Sequence, residues 1–188
     1  MSNEDKFNYL VGLSTVDAEK AMGELIEWSD KGFGHANFLI GVIYESGKNS
    51  ISRDYEKAAL YYEKAVVESR SVQAMLRLAS LHYLKRIGGS SDEMASRLYS
   101  ELYESNKNSS SSMMLGAMYF EGRFVEKNIE VAKLYLDEAV EAGLVFALTL
   151  RGHIERDQGH RFAAWSYFVR AVIRSFLTPS TSRLSQFP

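Results

Sequence analysis

The sequence repeats itself with a step of 37 residues, a period that restricts the chain to architectures built by stacking copies of one supersecondary unit. The clearest copy is residues 53–69, RDYEKAALYYEKAVVES. Asp54 is placed to accept hydrogen bonds from the unpaired first-turn N–H groups of a helix, and the apolar residues behind it recur at three- and four-residue spacing. Steps of 37 from Ala58 land on Ala21, Ala95 and Ala132, and steps from Asp54 land on Asp17, Ser91 and Asn128. All four cap positions hold residue types favoured at a helix N-cap. The doublets Glu24–Leu25, Tyr61–Tyr62, Leu98–Tyr99 and Tyr135–Leu136 keep the same step, as do the terminating residues Gly32, Ser69, Asn106 and Gly143. A fifth copy, shifted by a shorter loop, runs through Ala164, Tyr167–Phe168 and Ala171.

A second helical pattern precedes each capped one. In its first full copy Ala36, Ile40, Gly41 and Tyr44 share a face, matched by Ala74, Leu78, Ala79 and His82, by Ser111, Leu115, Gly116 and Tyr119, and by Ala147, Arg151, Gly152 and Glu155. A glycine here sacrifices helix propensity, and close approach of the neighbouring helix is the expected compensation. The chain is therefore predicted to be all-α, ten helices in five pairs forming a single solenoid over residues 1–177. The pairs lie near 4–31, 33–69, 71–105, 110–142 and 144–177, and the front helix of the first, near 4–13, is shortened. In NKNSSSS, 106–112, the final serines are expected to cap the next helix, and 178–188 is expected to be a mobile C-terminal tail.

Composition agrees with this reading. Of 188 residues 46% are apolar, enough for a sizeable core, and both prolines, Pro179 and Pro188, fall in the tail. There is no cysteine, which excludes disulfides, thiolate catalysis and Cys-based zinc sites. The N-terminal segment MSNEDKFNYLVGL carries acid where an export signal carries positive charge, and no stretch approaches the roughly 20 apolar residues that span a bilayer. The expectation is a cytoplasmic protein that does not enter membranes. A net charge of −2 argues against a nucleic-acid coat. From Arg151 onward, however, six arginines face only Glu155 and Asp157, a local charge of +4 that would suit an acidic partner.

These residues carry a resemblance. The run Ala36, Ile40–Gly41, Tyr44, Gly47, Asp54 to Ala58, Tyr61–Tyr62 and Lys64–Ala65 resembles the Sel-one-like repeat (SLR), a relative of the tetratricopeptide repeat with a longer internal loop. A later copy, Leu115–Gly116, Tyr119, Gly122, Asn128, Lys133, Tyr135, Ala139 and Gly143, is similar to it. The resemblance covers about residues 33–172, with departures at His82, Leu102, Glu155 and His160. It implies a right-handed superhelix of α-hairpins whose front helices line a concave groove for proteins or peptides. Its bacterial members include signalling regulators, virulence-associated adaptors and immunity proteins that neutralise secreted toxins. Some cysteine-rich relatives have been described as binding or hydrolysing β-lactams, but this chain lacks their cysteines.

No constellation nominates a catalytic residue, a cofactor or a metal. His153-Ile-Glu155 has the H-x-E form of zinc deaminases without the P-C-x-x-C that chemistry needs, and His153, Glu155, Asp157 and His160 read as surface polar residues. No G-x-S-x-G, Walker loop or H-E-x-x-H occurs. The expected function is therefore non-enzymatic.

With the small residue of each front helix buried, the implied groove takes Tyr9 on the first front helix and Phe38, Val42 and Glu45 on the next. Leu76, Ser80 and Tyr83 follow, then Met113 and Phe120, then Thr149, His153 and Arg156, with His35 and Phe146 at the entrance. Aromatic and thioether side chains at its middle suit burial of a partner's apolar residues, and the other reading is that they only fill the narrow inner side. On these grounds the sequence predicts a protein–protein interaction module, an adaptor or regulator, or an immunity protein whose partner is a toxin. A homodimer through Trp165, Phe168, Ile173 and Phe176 of the last helix is the further expectation.

Overall fold

The computed structural model describes residues 3–47 and 50–177, and these are helices joined by turns, with no strand among the described residues. In chain order the helices are α1 Asn3–Val16, α2 Ala18–Asp30, α3 Gly34–Ser46, α4 Tyr55–Ser69, α5 Val72–Tyr83, α6 Asp92–Asn106, α7 Ser109–Glu121, α8 Ile129–Glu141, α9 Val145–Asp157 and α10 Arg161–Leu177. All ten predicted helices are present, and their ends fall within a few residues of the sequence reading. One expectation is corrected: α1 is not shortened, spanning 14 residues against 13 in α3, and Asp17 alone separates it from α2. The expected tail, 178–188, lies outside the described residues.

The caps follow the repeat. Asp17, Asp54 and Asn128 accept from the backbone N–H of Lys20, Lys57 and Val131 at 3.1, 3.0 and 3.0 Å. Two front helices have caps of their own, where Ser71 accepts from Ala74 N–H at 3.2 Å and Asn108 from Ser111 N–H at 3.0 Å. The serines of NKNSSSS are thus not the cap. Asn108 takes that role because its carboxamide reaches the first-turn donors, and Ser111 and Ser112 are buried one turn into α7.

The helices form two compact units that divide between Ser91 and Asp92, one built from α1–α5 and one from α6–α10. In the first, α3 pairs with α4 as a hairpin and also packs beside α1 and α5, so that α1, α3 and α5 form a front layer over α2 and α4. Its core joins Leu10, Leu25, Trp28, Leu39, Ile40 and Ile43. In the second unit the hairpins α7–α8 and α9–α10 stand side by side, with α7 against α9 in front. Leu102, Met113, Met118, Leu136, Leu148 and Ile154 are fully buried there.

The front-helix glycines set the hairpin spacing as the pattern predicts. A Cβ built on Gly41 would meet Tyr62 Cε1 at 2.5 Å, one on Gly116 would meet Leu136 Cγ at 2.7 Å, and one on Gly152 would meet Phe168 Cε1 at 2.5 Å. Each of these neighbours is the second member of its back-helix doublet. Gly12 departs from the rule: it is exposed with no atom within 4 Å of such a Cβ, while Leu10 and Ser14 turn inward instead. The register assumed for α1 is corrected accordingly.

Candidate functional site

The front layer of the first unit carries eight of the predicted surface residues. Phe38, Val42, Glu45, Leu76 and Tyr83 are half-buried, whereas Tyr9 and His35 are exposed. Ser80 is buried at 4% exposure, its hydroxyl donating to Leu76 O at 2.9 Å, so it belongs to the α5 backbone network and not to a contact surface. The Phe38 ring lies 6.0 Å from that of Tyr62, and the His35 ring meets Phe7 edge-on at 5.5 Å.

Glu45 has two partners within the fold. The hydroxyl of Tyr62, a back-helix residue with no exposed surface, donates to Glu45 Oε2, having passed α3 where Gly41 lacks a side chain. Arg77 Nη1 donates to Glu45 Oε1 at 3.3 Å, which links α3 to α5. Burial and the Glu45 carboxylate together push the Tyr62 hydroxyl far above the usual tyrosine range, so it stays a proton donor. Glu45 thus links two front helices while remaining partly accessible at 22% of its side chain.

In the second unit Met113 is fully buried, and this corrects its assignment to a contact surface. It faces inward with Met114, Leu115 and Met118 because all of Ser111 to Met118 on α7 is buried, leaving that helix no free face until Tyr119. Phe120 and Thr149 are half-buried, and Lys127 Nζ stands 5.3 Å over the Phe120 ring. His153 is half-buried edge-on against Phe168 at 5.3 Å. Phe146 is exposed, and so is Arg156, which pairs with Asp157 at 3.1 Å.

The structure also assembles polar groups that sequence reasoning missed. Arg151 is buried on α9 and donates to Asp137 Oδ1 at 2.6 Å and to Glu155 Oε1 at 2.9 Å, with its guanidinium 5.0 Å over Tyr167. Glu155 in turn meets His160 Nδ1 at 2.9 Å. Burial works to raise the Glu155 pKa, but hydrogen bonds from His160 and Arg151 outweigh it and hold the carboxyl below its usual range. Glu155 is therefore not a surface residue. It replaces the expected tyrosine with an ion cluster that also reaches the histidine standing where a cap was expected. The Arg151–Glu155 spacing of four residues was the visible signal.

A second such group is Asn37, fully buried in the first unit. Its Oδ1 accepts from Ser29 Oγ at 2.6 Å and its Nδ2 donates to Glu68 Oε2 at 2.7 Å, so one side chain ties α2, α3 and α4. The related position in the second unit, Ser112, donates to Tyr135 O at 2.9 Å. No group of three or more metal-ligating side chains gathers among the described residues, and no helix there is long and apolar enough to cross a membrane.

Capped hairpins packed through a front-helix glycine and a bulky back-helix side chain define an α-helical repeat protein of the solenoid-forming class. The Sel1 repeat model matches residues 34–66, 72–102 and 109–144, more than half of the sequence, and the chain belongs to the Sel1 repeat family. Hairpins α1–α2 and α9–α10, outside the matched repeats, continue the helical pattern. A Sel1 repeat protein from Oxalobacter formigenes superposes with a TM-score of 0.71 at 23% identity, over 82% of this chain and 62% of that one. The uropathogenic Escherichia coli protective antigen c5321, which displays an SLR fold, gives 0.72 at 19% identity, over 89% of this chain and 37% of that one. MamA gives 0.64 at 17% identity, over 93% and 95% of the two chains. At these identities the likeness is one of fold, and the chain spans less than two thirds of the first two proteins. No curated protein matches the sequence. Sel1 repeat proteins are generally protein-interaction modules.

Proposed function

We propose that this chain is a non-enzymatic adaptor that binds a partner protein or peptide through the front-helix faces of its units. The observation that supports this most is the row Phe38, Val42, Leu76 and Tyr83, which remains half-buried on adjacent helices α3 and α5 while Leu39, Ile40, Ile43, Leu78 and Leu81 of the same helices are buried. The Glu45–Arg77 pair links the two helices that present this apolar row, and a surface carried on packed helices lowers the entropic penalty of association. Phe120, Phe146 and Thr149 are the corresponding residues of the second unit, with half-buried His153 on the same front helix as Thr149.

The test is affinity purification of the tagged chain followed by quantitative mass spectrometry, with Tyr83→Ala and Phe120→Ala as variants. Loss of an aromatic anchor from such an interface costs on the order of 2 kcal/mol, or roughly thirtyfold in affinity. The expected result is that both variants lose the same partner while their helical circular dichroism is retained. Undiminished capture by both would overturn the assignment. A toxin as the captured partner would narrow the role to an immunity protein.

A further inference from the structure

The outer face of α10 is the most apolar exposed surface in the second unit. Phe162, Trp165, Val169, Val172 and Phe176 succeed one another at alternating three- and four-residue steps, and four of them are strongly exposed, Phe162 at 92% and Trp165 at 66%. That alternation is the seam by which one helix receives another. Phe168, expected on this surface, is not part of it, because its ring turns inward onto Gly152. Exposed Ile173 and Leu177 widen one side of the seam.

The charge around the seam is of one sign. Helix α10 carries no carboxylate; Arg161 lies along one edge of the apolar face and Arg170 along the other, while Arg174 turns inward and donates to Val140 O at 3.3 Å. The arginines of α9 are paired within the fold, Arg151 with Asp137 and Glu155 and Arg156 with Asp157. A second copy of this chain, laid on the same face, would bring two arginines from each copy and no carboxylate of α10 to the contact. The complementary occupant is a helix with acidic edges.

We propose that the outer face of α10 is a second docking surface, distinct from the front-helix faces, and that its occupant is an amphipathic α-helix of a partner protein whose apolar seam is flanked by carboxylates. The apolar seam supplies the adhesion and the arginine edges select the partner.

The experiment uses the whole chain and two synthetic helical peptides with the same Leu seam, one edged with Glu and one with Lys, together with vesicles of anionic phosphatidylglycerol. Trp165 is the reporter, because Trp28, the other tryptophan, is buried in the first unit. The expected result is a blue shift of Trp165 emission with the Glu-edged peptide, which binds about tenfold or more tighter than the Lys-edged one and loses that margin as salt rises. Arg161→Glu with Arg170→Glu should reverse the preference, and Tyr83→Ala should leave it unchanged. Equal affinity for the two peptides, or none for either, would overturn the proposal. So would binding to vesicles without peptide discrimination, which would mark a membrane surface. Concentration-dependent dimerisation abolished by Trp165→Lys would overturn it in favour of a second copy.

Discussion

Arg151 and Glu155 face each other across one turn of α9, with Nη1 donating to Oε1 at 2.9 Å and side-chain exposures of only 8% and 11%. Removing one partner of such a pair leaves the other charge buried and undercompensated, whereas replacing both with apolar residues removes the desolvation penalty as well. Glu155→Ala should lower unfolding stability by roughly 3 kcal/mol, and Arg151→Met with Glu155→Leu should recover most of that loss. Urea denaturation of the two variants checks both outcomes.

Acid should weaken the fold in two stages. Burial, reinforced by Lys85 and opposed by Glu63, holds the His82 imidazole below its ordinary 6.5, and its Nδ1 has no hydrogen-bond partner. The unfolded chain therefore takes up this proton first, so stability present above pH 6.5 declines as the pH falls through that value toward the folded one. The Glu155 carboxyl, also depressed below its ordinary 4.5, adds a second decline beginning near that pH. His82→Phe should remove the first stage and leave the second, as read from urea midpoints at a series of pH values.

Asn37→Ala should be costly for a side chain that looks replaceable in an apolar run. Its loss leaves Ser29 and Glu68 without their buried partner, and a penalty of about 1–3 kcal/mol is expected. Thermal unfolding followed by circular dichroism measures it.

The glycines should divide into two classes. Gly41→Ala and Gly152→Ala force a methyl group against the rings of Tyr62 and Phe168 and should destabilise by about 1–3 kcal/mol. Gly12→Ala and Gly23→Ala fall in helices with open space around them and should stabilise by about 0.5–1 kcal/mol. The same denaturation series compares all four.

The fold was legible because its determinants are local and copied. Asp17, Asp54 and Asn128 each start a helix by capping a donor three residues on, and Gly41 to Tyr62 is a contact that the repeat announces several times. The surface was less legible, since exposure depends on what packs above a helix. Met113 has the spacing of a contact residue but is covered on every side, and Phe168 has the spacing of an outer residue but fills the notch of Gly152. The ion cluster was hidden because Asp137 lies on a different helix from Arg151, 14 residues away, and no periodicity connects them.

The notches differ in what they hold. Gly41 receives a tyrosine, Gly116 a leucine and Gly152 a phenylalanine, so each hairpin is matched to its own ring or branch. Front and back helices of this chain are thus not interchangeable parts: pairing α3 with α8 would leave a ring-sized void, and pairing α7 with α4 would ask a leucine-shaped notch to admit a phenol. Evolution can duplicate or exchange whole hairpins of such a chain far more readily than single helices.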